Sequence, residues 1–185
     1  NTCYAKDYYD DGPDFSRDPF VGHFQIGRSK FTLVSVHLHY GGHDQDSIKA
    51  RLKEMKYLRK VVNKVKKNTP KHDVILLGDF NLRLVEEVIW EDVPETADIE
   101  AENRVKAEVP ESFIDQVPHL NSIITEATTV GHANYDHIFY FADNKHHVIE
   151  DSYGAYMDFD LNSTHQKNKY KSEVSDHFLI RASFN

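Results

Sequence analysis

Asp73-Val74-Ile75-Leu76-Leu77-Gly78-Asp79-Phe80-Asn81 is the stretch on which the fold turns. Its aliphatic residues, Val74 to Leu77, run without polar alternation. A strand with one wet face would alternate, so the run predicts a strand covered on both faces. Gly78 ends the run, and Asp79 and Asn81 follow where the chain leaves the core. In an extended backbone two such residues project to the same side, which would pair a carboxylate with an amide. Oxygen donors of this kind suit Mg2+. An Asx-rich turn, with Gly78 supplying the bend, fits the same residues.

Upstream, Ile48, Leu52, Met55, Leu58 or Arg59, Val62 and Val65 recur at three- and four-residue steps between Asp46 and Lys67. That spacing predicts one amphipathic helix, with its basic residues on the face away from the stripe. The basic face serves either solubility or phosphate attraction. Before it, Pro19 to Ile26 and Phe31 to Leu38 are apolar segments separated by Gly27-Arg28-Ser29-Lys30, a hairpin pattern.

Downstream, strand patterns return at Asp136 to Phe141, at His147 to Ile149 and at His177 to Phe184. Before them Val85 to Val117 is acidic, with short helices expected at Glu100 to Ala107 and Ser112 to Gln116. No repeat or linker divides the chain, so residues 1–185 are expected to belong to one domain of mixed α/β (α+β) character, sheets covered by helices.

With 39% hydrophobic residues and 12% aromatic, the chain can bury a core unaided. Its single cysteine, Cys3, excludes an intrachain disulfide and a cysteine zinc cluster. No apolar run approaches the roughly 18 residues of a membrane span. The net charge of −8 argues against a simple basic nucleic-acid binder, yet the charge is segregated. Asp46 to Lys67 holds nine basic residues against two acids, a balance of +7, leaving thirteen against twenty-eight, or −15, elsewhere.

Polar groups that could do chemistry stand at strand ends, where the chain meets solvent. His37 follows Leu33 to Val36, Asp79 and Asn81 follow Val74 to Leu77, Asp136 opens a strand after Tyr135, and Ser175-Asp176-His177 opens the last one. Asp176 and His177 are adjacent, so an extended chain points them to opposite faces, which suits a metal carboxylate beside an acid/base imidazole. An imidazole in that role needs a partner to fix its tautomer, and Asp136 is the candidate. A solvated Asp-His pair is the plainer alternative.

Taken in order, His37, Gly78-Asp79-Phe80-Asn81, Tyr135-Asp136-His137-Ile138 and Ser175-Asp176-His177 resemble the motifs of the endonuclease/exonuclease/phosphatase family. Tyr8-Tyr9-Asp10-Asp11-Gly12 and Phe15-Ser16-Arg17-Asp18-Pro19-Phe20-Val21 look like deoxyribonuclease I and its secreted relatives. The resemblance implies a four-layer sandwich of two mixed β-sheets flanked by helices. This chain would be its carboxyl-terminal two-thirds, the amino-terminal part being supplied by another segment or a second chain. It further implies Mg2+ as cofactor, with Mn2+ or Ca2+ as alternatives, and hydrolysis by a metal- and His-activated water without a covalent intermediate. Asp79, Asn81 and Asp176 would hold metal, and Asp136 and His177 would form the acid/base pair. His37, Arg17 and Asn81 would hold the substrate phosphate, with His39 a competitor for the role of His37.

DNA is the substrate that the resemblance favours, with secretion as its corollary. Several residues depart from the pattern. The family's upstream metal-binding glutamate, and the acid that partners the histidine matched by His37, have no counterpart here. Neither Leu82-Arg83-Leu84 nor His132-Ala133-Asn134 contains the disulfide cysteine of the relatives, His137 replaces an arginine, and Leu179 a proline. The alternatives are a phosphoinositide, sphingolipid or nucleotide phosphoesterase, for which Arg83 is a hint, and a non-catalytic binding module. Asn162-Ser163-Thr164 fits a glycosylation acceptor.

Overall fold

The aliphatic run at 74–77 is the spine of a sheet. The computed structural model describes residues 2–4, 15–41, 45–81, 120–122, 124, 127–130, 133–141, 144, 146–156 and 163–185. In chain order its elements are β1 (Thr2–Tyr4), β2 (Phe20–Ile26), β3 (Ser29–His37), α1 (Gln45–Asn68), β4 (Asp73–Asp79), β5 (Leu120–Ser122), β6 (Asp136–Phe141), β7 (Gly154–Tyr156), α2 (Thr164–Glu173) and β8 (Leu179–Arg181). Six strands form one sheet in the order β1-β2-β3-β4-β6-β5, and β7 and β8 form a second. β3 and β4 are parallel and the other pairs antiparallel, so the larger sheet is mixed. The described part of the second is purely antiparallel. The chain is therefore an α+β sandwich, as expected.

Each face of the larger sheet meets its own cover. Val34 and Val36 of β3 and Val74 and Leu76 of β4 pack with Met55, Leu58, Val61, Val62 and Val65 of α1. Truncating a residue such as Leu58, which is fully buried, would cost about 2–5 kcal/mol. The opposite face carries Leu33, Ile75, Leu77 and Ile138, which meet Ile180, Ala182 and Phe184 from β8 and the residues after it. The unalternating run thus reflects a strand covered on both sides, with α1 as the parallel crossover from β3.

The hairpin is tighter than its sequence pattern suggested. Ile26 pairs with Ser29, leaving only Gly27 and Arg28 in the turn. Gly27 has φ 59, the positive value that a two-residue hairpin needs to match strand twist. α1 also corrects one expectation, because Arg51 does not lie on a solvated face. It is 3% exposed, and Glu54, one turn on, is 4% exposed.

Two expected strands are shorter than their patterns. His147 to Ile149 contributes only a single bridge, Val148 to Phe184. In the last segment, β8 proper is three residues, while His177 bridges to Thr129 and Phe184 to Val148. The chain changes partners there, so no one strand extends throughout. α2 carries no apolar periodicity that would announce it; it is started by Ser163, whose hydroxyl accepts from Gln166 N–H while Gln166 accepts from Ser163 N–H. The acidic segment with its two expected helices, Arg83, Asn162 and Tyr8 to Asp14 lie outside the described residues.

Candidate active site

Strand register assembles the site. His37 is the partner of Asp79 across β3 and β4, and Asp79 is the partner of Asp136 across β4 and β6. Directly opposed residues share a face, here the face that meets the second sheet. His177 arrives from the far side, just before β8. Val130 N–H donates to Asp176 O at 2.9 Å, and Phe178 N–H donates to Thr128 O at 2.7 Å. The Thr128 hydroxyl in turn accepts from Tyr135 and Asp136 N–H at 3.1 and 3.0 Å. Thr128 therefore ties the His177 segment to the start of β6.

His177 Nδ1 lies 2.7 Å from Asp136 Oδ2. A carboxylate only accepts, so Nδ1 carries a proton and Nε2 faces the other way, 3.7 Å from Asp79 Oδ2. His37 Nε2 approaches the same oxygen at 3.5 Å. Donor atoms of Asp79, Asp136 and His177 all lie within 4.8 Å of one another, close enough for one metal ion. His37, with its side chain 49% exposed, forms the open rim, and Asp79, at 14%, lies deeper.

Burial, the largest influence, pushes the Asp79 carboxyl above its ordinary value. The Asn81 N–H and the two imidazoles oppose this, while Asp136 adds to it. His177 is also raised, chiefly by its hydrogen bond to Asp136, against the opposing effect of burial. A carboxyl and an imidazole with shifted proton affinities at one strand end are what acid/base chemistry requires.

Two solved structures resemble this fold. One is a conserved protein of unknown function from Enterococcus faecalis, 17% identical with a TM-score of 0.50, matched over 91% of this chain and 56% of that one. The other is an endonuclease/exonuclease/phosphatase family protein from Bacteroides thetaiotaomicron, 17% identical with a TM-score of 0.50, matched over 100% of this chain and 63% of that one. The chain has the endonuclease/exonuclease/phosphatase fold. It spans less than two thirds of the length of either structure. No family model and no curated protein matches it by sequence.

Within the endonuclease/exonuclease/phosphatase fold, Gly78 sets the path of β4 into the site. It has φ 137, and a Cβ there would lie 2.0 Å from Val36 O. Only glycine allows β3 and β4 to approach so closely. Beyond it, Asn81 is left-handed at φ 50, so the extended backbone expected for Asp79 and Asn81 is replaced by a turn. Asn81 N–H donates to Asp79 Oδ1 at 2.8 Å, and its Nδ2 donates to Leu38 O at 2.9 Å. The Asx turn and the polar site are one structure, because the turn holds the Asp79 carboxylate in place.

The remaining expected residues lie outside the clustered donors. Asp176 is exposed and is not one of the three clustered donors, though its charge reaches His177. Arg17 is exposed beside Ser16, whose hydroxyl meets His39 Nδ1 at 2.9 Å. Glu54 joins these segments: its two oxygens accept from Ser16 N–H and His39 N–H, each at 2.6 Å. Glu54 and Thr128 were not singled out from sequence. Glu54 had a visible signal, an acid one turn before Leu58 on the apolar stripe, whereas Thr128 had none.

Proposed function

We propose that this chain belongs to the endonuclease/exonuclease/phosphatase family and carries the core of a metal-dependent phosphodiester hydrolase that nicks DNA. The observation that carries the reading is the Asp136–His177 hydrogen bond, with Nε2 turned toward Asp79 at a shared strand end. His177 takes the proton of a water attacking phosphorus in line, Asp136 stabilises the resulting imidazolium, and the oxygen departing on the opposite side takes its proton from solvent. His37 on the open rim and Arg17 hold phosphate oxygens, a geometry for which a guanidinium fork is suited. Asn81 orients Asp79 and lies beside the phosphate.

With Asp136 and His177 paired to each other, Asp79 is the carboxylate of the three clustered groups left to meet an ion, and carboxylate oxygen is compatible with a hard divalent cation, Mg2+ first and Mn2+ or Ca2+ as alternatives. Asp79, with Asn81 and Asp176, would hold the ion, which supplies positive charge against the negative charge that develops on phosphate. The family resemblance implies a further glutamate, which a segment or chain beyond these residues would contribute.

Supercoiled plasmid incubated with the intact protein and Mg2+ tests the substrate. Nicked circles that vanish with chelator are expected. Intact plasmid, alongside phosphate released from a phosphoinositide, sphingolipid or nucleotide, would remove DNA from the account.

A further inference from the structure

The sheet face that meets the second layer is polar at both ends. His37 and Asp79 occupy one end, and Ser29 and Asp73 begin β3 and β4 at the other. At about 3.3 Å per residue the two ends of β4 are about 20 Å apart. At the far end His146 bridges two strands. Its Nδ1 is hydrogen-bonded to Asp73 Oδ2, and its Nε2 lies 2.8 Å from Ser29 Oγ. The same Asp73 oxygen accepts the His146 backbone N–H at 3.0 Å, which fixes the ring against the carboxylate. Asp73 is 6% exposed.

Because the carboxylate only accepts, Nδ1 holds the proton of the neutral ring and Nε2 presents its lone pair to the Ser29 hydroxyl. Carboxylate, imidazole and hydroxyl stand in the order used for nucleophilic catalysis by serine. Asn144 supports the arrangement: its side chain accepts from Val74 N–H at 3.3 Å and donates to Val74 O at 3.0 Å, anchoring the chain two residues before His146. The three residues border a cavity of about 310 Å3, whose other walls include Ile26, Phe31, Ile75 and Phe184. A purely structural clamp requires no such space. This volume lies within the range of small-molecule sites, and its walls are mostly apolar.

We propose that Ser29, His146 and Asp73 form a second, metal-independent site that cleaves esters with a short apolar acyl group. Ser29 Oγ bonds to the carbonyl carbon while its proton passes to His146 Nε2, and Asp73 stabilises the imidazolium. The ester C–O bond breaks and the alcohol leaves with that proton. Water, deprotonated by His146, then cleaves the acyl-serine, releasing a carboxylic acid and restoring the Ser29 hydroxyl. No oxidant, reductant or cofactor enters the balance.

A fluorophosphonate probe, followed by peptide mapping, tests this on the intact native protein with chelator present. One adduct on Ser29 is expected, lost after heat denaturation, together with hydrolysis of p-nitrophenyl butyrate. His146→Gln and Asp73→Asn, checked for fold by circular dichroism, should label more slowly by about 10²-fold or more. The proposal is overturned if native protein carries no Ser29 adduct, if native and unfolded protein label equally, or if either folded variant labels at the wild-type rate.

Discussion

Asp136 Oδ2 and His177 Nδ1, forty-one positions apart in the chain, are joined by a hydrogen bond of 2.7 Å. That contact fixes the tautomer of His177 and turns its second nitrogen toward Asp79. It also stabilises the protonated ring, so it links stability to pH.

Replacing Asp136 by Asn should therefore have a pH signature. His177 is raised above its ordinary 6.5 in the folded protein. The stability this contributes is complete below the unfolded value and is lost as pH rises through the folded one. Melting curves from pH 6 to pH 9 should show Asp136→Asn most destabilised at pH 6, the gap to wild type closing upward. A gap that widens with pH contradicts the assignment. The acid limb of the phosphodiesterase rate should also move to lower pH in the variant.

Asp79 predicts the opposite trade of stability against function. Its folded carboxyl is raised above 3.8, so the favourable contribution exists at acid pH and is lost as pH rises through the folded value. At pH 7 the buried charge is a cost. Asp79→Asn, which keeps an acceptor for Asn81 N–H, should stabilise the metal-free protein by about 0.5–2 kcal/mol at pH 7. Mg2+ should raise the melting temperature of wild type and leave the variant unchanged. A variant that melts below metal-free wild type would refute this account of Asp79.

Gly78→Ala tests the bend that carries the chain into the site. A Cβ would lie 2.0 Å from a main-chain oxygen at a φ of 137, and neither strand can yield without breaking register. The expected loss is about 3 kcal/mol or more in urea unfolding. A loss below about 1 kcal/mol would mean that the close approach of β3 and β4 is not needed.

β4 and α1 were legible from sequence because both follow local periodicity: an unbroken aliphatic run and a three-four stripe. α2 was not, because Tyr170 is its one buried residue and its signal is the Ser163–Gln166 box rather than a stripe. His37, Asp79, Asp136 and His177 could be named individually, and the family resemblance linked them. The common face of His37, Asp79 and Asp136 depends on inter-strand register, a property of pairs of strands that no single segment encodes, and His177 reaches it from outside that sheet. Asp79 and Asn81 show the limit of local geometry, since both stand where β4 leaves the core, as expected, but in a turn rather than the extended backbone expected for them. Arg51 and Glu54 were not legible because charged residues in a helix default to solvent, whereas both are buried and Glu54 accepts from the Ser16 and His39 N–H groups. Ser29 and His146 are separated by 117 positions and meet only after folding.

Under the proposed function, Asp79, Asp136 and His177 act as one hydrolytic unit. The most direct test is the rate of Mg2+-dependent bis(p-nitrophenyl) phosphate hydrolysis in Asp79→Ala, Asp136→Ala, His177→Ala and the triple variant, each verified as folded. Groups that act together give non-additive losses, so each single variant should fall about 10²-fold or more, to within about tenfold of the triple. A folded single variant that keeps the wild-type rate, or losses that simply multiply to the triple, would contradict the account.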